Sequence, residues 1–323
     1  MNKNTFPSSP MNGMQLLRGA PPMDAADLFR LRGGGHSGRD AGLRLSLASN
    51  GHPTPPPAEK NVPRSASSRL CPEILLLALE RVDSSYRFLH LLDVREICDG
   101  LRKALSNSRG DLPDLAVLIG ESVKGRPFIE PKVAFVPLAS VAHPQADGRL
   151  LAMGLALRKN TTPTQRRHLF AALERIPKEG IALGRFGTWR IGPHAARSLP
   201  KSCLSETWTG HPKGATDWAT VTPVVFEEEM TENACSNMDR SIRLDCRREG
   251  LPEPCEVIVT PVSAHFGAPP ADVFPCFQNQ GSKRYHRHAI LIFPEPVRGP
   301  VLLGAGRHDG YGLCRPMVET VEG

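Results

Sequence analysis

Between Lys132 and Gln165 the chain reads KVAFVPLASVAHPQADGRLLAMGLALRKNTTPTQ, and this stretch decides the fold. Lys132–Leu138 and Arg149–Leu157 are apolar runs of strand length separated by the polar turn His143-Pro-Gln-Ala-Asp147-Gly148, which predicts two successive strands. Thr162, Pro163 and Gln165 then supply an N-cap, a proline at the first helical position and a capping-box partner. Leu169, Phe170, Leu173 and Ile176 follow at helical spacing before Pro177 stops the helix.

Upstream, Glu73–Val82 is a short apolar run that suits a buried strand, with a helix as the alternative. Asp93 opens a capping box with Glu96, and Val94, Ile97, Cys98, Leu101, Ala104 and Leu105 share one face of an amphipathic helix. Downstream, Ile181–Ile191, with Gly184 and Gly187, reads as a glycine-interrupted strand. The order is therefore β-α-β-β-α-β. It recurs after a polar linker: Trp218–Phe226 is a strand, Ser236 with Asp239 caps a helix running to Gly250, and Glu256–Val262 and His288–Phe293 are two more strands. A glycine stretch replaces or contains the second helix, and Tyr311–Met317 is the last strand. The expected fold class is α+β, two tandem ferredoxin-like modules with a glycine-rich loop before the final strand. No residue-level repeat accompanies the repeated order. Residues 1–70, rich in Pro, Gly and Ser, are expected to be weakly structured. The first module is then 71–195, the linker 196–216 and the second module 217–319.

The glycine stretch is Gly304-Ala-Gly306-Arg307-His308-Asp-Gly310-Tyr-Gly312. Glycine allows close backbone approach and positive φ, and Arg with His meets anions, so the stretch is a candidate phosphate cradle. A dinucleotide-binding turn needs G-x-G-x-x-G inside a βαβ unit, and only eleven residues follow Gly312. No Gly-Lys-Ser or Gly-Lys-Thr closes a Walker A loop. A bland turn remains the plain alternative.

Forty Lys plus Arg against 33 Asp plus Glu leave a net charge of +7, a mild basic bias compatible with nucleic acid. Eight cysteines include no C-x-x-C pair and no signal peptide precedes them, which favours reduced thiols and a cytoplasmic location. The longest apolar candidate, Ile74–Leu79, is strand-sized, so no membrane span is expected.

Taken together, Arg298-Gly-Pro-Val-Leu-Leu-Gly304-Ala-Gly306-Arg307-His308-Asp-Gly310-Tyr-Gly312-Leu, Trp218-Ala-Thr-Val-Thr-Pro-Val-Val, Gly250-Leu-Pro-Glu-Pro and Ala146-Asp-Gly-Arg-Leu-Leu resemble the fused RAMP-superfamily subunit of type I-G (also labelled I-U) CRISPR systems. The resemblance covers roughly residues 73–317 and falls on the endoribonuclease half of that family. It implies metal-independent cleavage of precursor CRISPR RNA, or holding of the guide-RNA handle, as part of antiviral defence. The implied partners are repeat-derived CRISPR RNA and other effector subunits, with no cofactor and no metal. Where the family carries a His-x-His pair, this chain has Lys132 and Ala134.

In the implied reaction a ribose 2′-OH attacks its own 3′-phosphate, which needs a base, an acid and cations around the phosphorane. Candidate catalytic residues are Tyr86 and His90, between the first strand and first helix, His143 between the second and third strands, and His308 in the glycine loop. Candidate RNA contacts are Gly304, Gly306, Arg307, His308, Gly310 and Gly312. Arg284 and Arg287, flanking Tyr285 and the pair His286 and His288, join them, as do Arg240, Arg243 and Arg247 on one helix face, and Lys132. A solvated helix face explains the arginine row equally well. Trp189 and Trp218 read as core. No Ser-His-Asp or paired-carboxylate signature stands out in the sequence. Three readings stay open: a ribonuclease, a structural RNA-binding subunit without cleavage, and an unrelated enzyme for a small anionic substrate.

Overall fold

The computed structural model describes residues 66–82, 88–121, 130–193, 200–227, 235–279 and 282–317. Tyr86 and most of the 1–70 segment lie outside them. The class is α+β, with two antiparallel sheets as its frame.

The first sheet is built from β2 (Leu70–Arg81), β3 (Val133–Ala139), β4 (Leu150–Arg158), β5 (Ile181–Ala182) and β6 (Thr188–Pro193), in the order β3-β4-β2-β6-β5. β3 is buried at every position, because a continuous apolar run has no face to give to water. Helices α1 (Val94–Asn107), α2 (Pro113–Ile119) and α3 (Pro163–Glu174) accompany this sheet. On α1 the six apolar positions named above are all buried. On α3 the capping box forms as the sequence expects: Thr162 Oγ1 accepts the Gln165 N–H at 3.2 Å and Gln165 Oε1 accepts the Thr162 N–H at 3.1 Å.

The second sheet contains β7 (Ala215–Thr220), β8 (Val224–Val225), β9 (Glu256–Thr260), β12 (His286–Arg298) and β13 (Cys314–Pro316), with α5 (Cys235–Arg248) between β8 and β9. Its main order is β9-β12-β7-β13, every pair antiparallel. A two-residue strand, β1 (Ala66–Ser67), adds to β12 in parallel, Ala66 opposite Val297. A small separate hairpin joins β10 (Gln278–Asn279) to β11 (Ser282–Lys283).

Several expectations are corrected. Ile181–Ile191 is a hairpin: β5 and β6 pair with each other across a 3₁₀ turn at Gly184–Phe186. The Trp218–Phe226 strand breaks after Thr220, and β8 pairs with the early part of β12. The glycine stretch holds no helix and runs as turns enclosed by the Leu302–Leu313 bridge, with a second isolated bridge inside it from Asp309 to Phe135. Helix α2 had no signal beyond Pro113 at its first position. The first capping box sits three residues early, pairing His90 with Asp93 in place of Asp93 with Glu96, and it opens a 3₁₀ turn over Leu91–Asp93 that leads into α1.

One hydrophobic core runs from the first sheet and its helices to Val225, Leu302, Tyr311 and Leu313 of the second half. It also takes in Trp208 from α4 (Ser205–Thr209), a short helix in the stretch read as linker, whose indole N–H donates to the Ser202 carbonyl at 2.7 Å. A smaller core under the second sheet gathers Trp218, Ile242, Leu291 and Phe293. Among the described residues no helix is long and apolar enough to cross a membrane.

Candidate nucleic-acid interface

Two loops carry the histidines that the sequence singled out. The first, residues 140–149, joins β3 to β4. Its ends are tied by Ser140 N–H to the Arg149 carbonyl and Gly148 N–H to the Ser140 carbonyl, both 2.9 Å. Inside, Ala142 adopts φ 64°, a left-handed conformation that costs an alanine about 1 kcal/mol or more. The second half of the chain holds it there: Ala142 N–H donates to the Phe266 carbonyl at 2.9 Å, and Arg315 of β13 donates to the Val141 carbonyl at 2.7 Å. The next residue, His143, is half-buried and has Nε2 3.1 Å from the Ser140 hydroxyl. Its Nδ1 has no protein partner among the described residues. Beside it Arg149 is half exposed and only loosely paired with Asp147 at 3.9 Å, and the Phe266 ring is exposed.

His90 touches the far end of this loop. Its Nδ1 accepts the Leu92 N–H at 3.4 Å, which leaves Nε2 to donate to the Asp147 carbonyl at 2.7 Å. A side chain at Gly148 would meet the Gly267 carbonyl and, at 2.8 Å, the His90 ring, so glycine at φ 74° is what lets the three segments meet. His90 is thus an N-cap and a loop brace, with both nitrogens engaged.

The glycine loop is built the opposite way, facing inward. Gly310 rests on Val94, Cys98 and Pro137 of the first half, and Asp309 pairs with Phe135 of β3 and with the Arg102 guanidinium at 2.5 Å. Several amides are already used: Gly304 N–H donates to Asp245 Oδ2 at 3.0 Å, Ala305 N–H to the Val225 carbonyl at 2.8 Å and Gly312 N–H to the Pro223 carbonyl at 2.9 Å. Arg307 is ion-paired with Glu130 and, at 3.1 Å, with Glu249. His308 lies between the Val133 carbonyl, 3.1 Å from Nδ1, and Glu130 Oε1, 3.4 Å from Nε2. Arg158 reaches Glu130 at 2.7 Å and Glu249 at 3.5 Å. The hydrogen bond from His308, with help from Arg307 and Arg158, holds the Glu130 carboxyl down at about 2. Burial, with the nearby Glu227 carboxylate adding to it, lifts Asp245 to about 6 against the pull of Arg307.

The remaining positions divide by exposure. Arg240 and Arg247 are exposed on α5, whereas Arg243 is tied to Asp239 at 2.9 Å and to the Pro254 carbonyl. Arg287 stacks over Tyr285, its guanidinium carbon 4.1 Å from the ring centre, and Arg284 is half-buried. Lys132 Nζ bonds to Gln165 Oε1 at 3.3 Å. His286 and His288, read with the basic cluster, are buried carbonyl-binding residues of β12: His288 lies between Thr220 Oγ1 and the Pro269 carbonyl, each 2.9 Å away, and burial lowers its imidazole to about 4. Trp189 and Trp218 are buried, as core residues should be. Sequence reasoning missed Ser140, whose pairing to His143 needs the turn at Ala142. It also missed Glu130, Arg158 and Glu249, which no spacing connects. Arg158, a charge closing an apolar strand, was the single usable sign.

Solved structures that resemble the chain include two of Cas6 proteins. A CRISPR associated protein Cas6 aligns with 76% of this chain and 98% of its own, at 11% identity and a TM-score of 0.37. A Cas6 product complex aligns over the same shares at 12% identity and a TM-score of 0.34. No family model matches the chain. No curated protein matches it either.

Proposed function

We propose that the chain binds CRISPR repeat RNA and cuts its backbone without a metal, with His143 moving the proton. The observation that carries this reading is the Ser140–His143 pair, held at 3.1 Å on a loop whose left-handed Ala142 is kept in place from the other half of the molecule. Strained backbone maintained by outside contacts is characteristic of working sites. The ribose 2′-oxygen forms a bond to the adjacent phosphorus as the bond from phosphorus to the 5′-oxygen breaks. The 2′ proton goes to His143, and the departing 5′-oxygen gains a proton, leaving a 2′,3′-cyclic phosphate and a free 5′-hydroxyl. Arg149 balances charge on the phosphorane, and the exposed Phe266 ring offers a face for an unstacked base.

The sequence resemblance to the type I-G fused subunit supports the choice of RNA. So does the strand order. In each sheet the four long or medial strands run fourth, first, third, second in chain order, which fits two ferredoxin-like modules over 71–195 and 217–319, the second with a glycine loop in place of its second helix. Exposed Arg240 and Arg247, with Arg287 on Tyr285, serve as backbone and base contacts on the second module. Guide-RNA effector subunits are the protein partners of this reading.

One observation favours a subunit that holds RNA without cutting it: of the described histidines named as catalytic, His90 and His308 have both ring nitrogens engaged by the protein, leaving only His143 with a ring nitrogen, Nδ1, to spare. Incubation with cognate repeat RNA in EDTA separates the two. A single cut bearing a cyclic phosphate, lost in His143→Ala with RNA affinity kept, supports the nuclease. Binding with no cut gives the holding subunit, and no binding at low salt refutes both in favour of a small anionic substrate.

A further inference from the structure

Two guanidiniums and one imidazole converge on one oxygen of Glu130. Arg158 Nη2, from the end of β4, lies 2.7 Å from Oε1, the Arg307 guanidinium binds the same oxygen, and His308 Nε2 stands 3.4 Å from it. The two arginines are nearly buried, with side chains 10% and 15% exposed, whereas Glu130 is 42% exposed and stands three residues ahead of β3. The holder is thus fixed in the core and its occupant faces solvent. Behind it, Glu249 is buried, 3.1 Å from Arg307 Nε and 3.5 Å from Arg158. That carboxylate matches one of the two guanidinium charges. Asp245, the other acid nearby, acts on Arg307 and also lies 3.5 Å from Arg248, which in turn pairs with Glu227 at 3.1 Å. Of Glu130, Glu249 and Asp245, Glu130 is the most exposed, and it meets both Arg158 and Arg307 from the solvent side. The Nε atoms of Arg158 and Arg307 are both buried without a hydrogen bond, Glu249 standing out of line with the latter, so the holder has donors that the carboxylate does not use.

We infer that Arg158, Arg307 and His308 form an oxyanion site for a phosphodiester, and that Glu130 fills it as an internal stand-in until a phosphate displaces it. The match is one of charge and shape. A phosphodiester carries one negative charge on two non-bridging oxygens, as a carboxylate does, and guanidinium forks bind both. Displacement needs only Glu130 to swing into water, since its main chain belongs to no strand or helix. Glu130 then sets a threshold: a stray anion competes poorly with a tethered carboxylate, whereas a phosphate delivered by an RNA already bound elsewhere competes well. That RNA is the source rests on the proposed function. The anion site does not.

The test uses the full chain, inorganic sulfate and repeat RNA. Glu130→Gln keeps the shape of the side chain and removes its charge; Glu80→Gln, exposed on β2, removes the same charge elsewhere. Thermal shifts in sulfate, measured against chloride at equal ionic strength, are expected to give at least fivefold tighter sulfate binding in Glu130→Gln than in wild type or Glu80→Gln. Repeat RNA at 0.15 M salt is expected to bind three- to tenfold tighter, and Arg158→Gln in the Glu130→Gln background to cancel both gains. If Glu130→Gln does not fold, Glu130→Asp, which draws the carboxylate back by one methylene, is to show the same directions. Equal sulfate binding in wild type and variant overturns the inference, and does so without touching the RNA reading if wild type still binds RNA. A sulfate gain with no RNA binding by any of these proteins supports the anion site and removes the proposed function instead.

Discussion

The loop at 140–149 and the glycine loop each rest against the other half of the molecule, and both carry a histidine, yet they are finished differently. In the glycine loop Arg307, His308 and Asp309 all end on protein groups, and Gly310 is pressed against α1 and β3. In the other loop hydrogen bonds hold the backbone at Ser140, Ala142, Ala146 and Gly148, while His143 and Arg149, and Phe266 from the other half, keep faces toward solvent. Glycines and cations together therefore do not make an open cradle. Whether a basic glycine loop is a joint or a site depends on which carboxylates fold back onto it, and that is a tertiary property.

The contrast is open to experiment. The largest effect expected is on catalysis: His143→Ala should lower single-turnover RNA cleavage by about 10²- to 10⁴-fold, with RNA affinity within threefold of wild type. Unchanged cleavage would make the 140–149 loop as purely structural as its counterpart. Next, Gly310→Val combines a φ of 81° with collisions against Val94 and Cys98. Urea unfolding should show a loss of about 3 kcal/mol, and a loss below about 1 kcal/mol would mean that the loop is not a packed joint.

Acid should act on the second half of the chain. Burial lowers His265 and His288 to about 4, so between about pH 4 and 6.5 only the unfolded chain protonates them and stability rises with pH. Asp245, lifted by burial to about 6, opposes this with one proton, because the folded chain keeps its acid form where the unfolded chain has lost it. From these three groups the net is one proton, a slope of about 1.4 kcal/mol per pH unit from pH 4 to 6, which the Asp93 and Asp99 carboxyls, also raised by burial, flatten. Below the ordinary carboxylate range Glu130, held at about 2, adds stability that is lost as pH falls toward that value. Denaturant midpoints across pH 2 to 8 check both signs. The smallest effect is at Arg240, exposed on α5: Arg240→Ala should reduce the salt slope of RNA binding by about 1 and weaken affinity evenly across RNA sequences.

What could be read from the sequence follows the range of the interactions. Thr162 and Gln165 bond three residues apart, and their box formed as written. At the first helix the same logic chose Asp93 as cap, because Asp is a good cap and histidine is not among the usual ones. In the structure Asp93 does stand at the N-cap of that helix but makes no side-chain capping bond to it; its carboxylate is used one turn earlier, in the box with His90, whose Nε2 is held by the Asp147 carbonyl fifty-seven residues on. Strands announced by apolar runs were found within a few residues, whereas Ile181–Ile191 was misread because two glycines fit an interrupted strand and a tight hairpin alike. The candidate site was half legible. His143 was visible as a polar loop residue, but Ser140 becomes its partner only through the strained Ala142. Glu130, Arg158, Glu249 and Arg307 come from four distant segments, and nothing local links them.

The two residues of β1 lie beside β12 in the C-terminal sheet, while β2, only two residues later, lies in the N-terminal one. The chain is stitched through both halves before either is complete. Removing the residues before about 70 would strip β1 from β12 and leave the Val297–Arg298 edge bare. A cut at an exposed turn such as Pro144–Gln145 would spare that stitch, at the cost of the His143 loop itself.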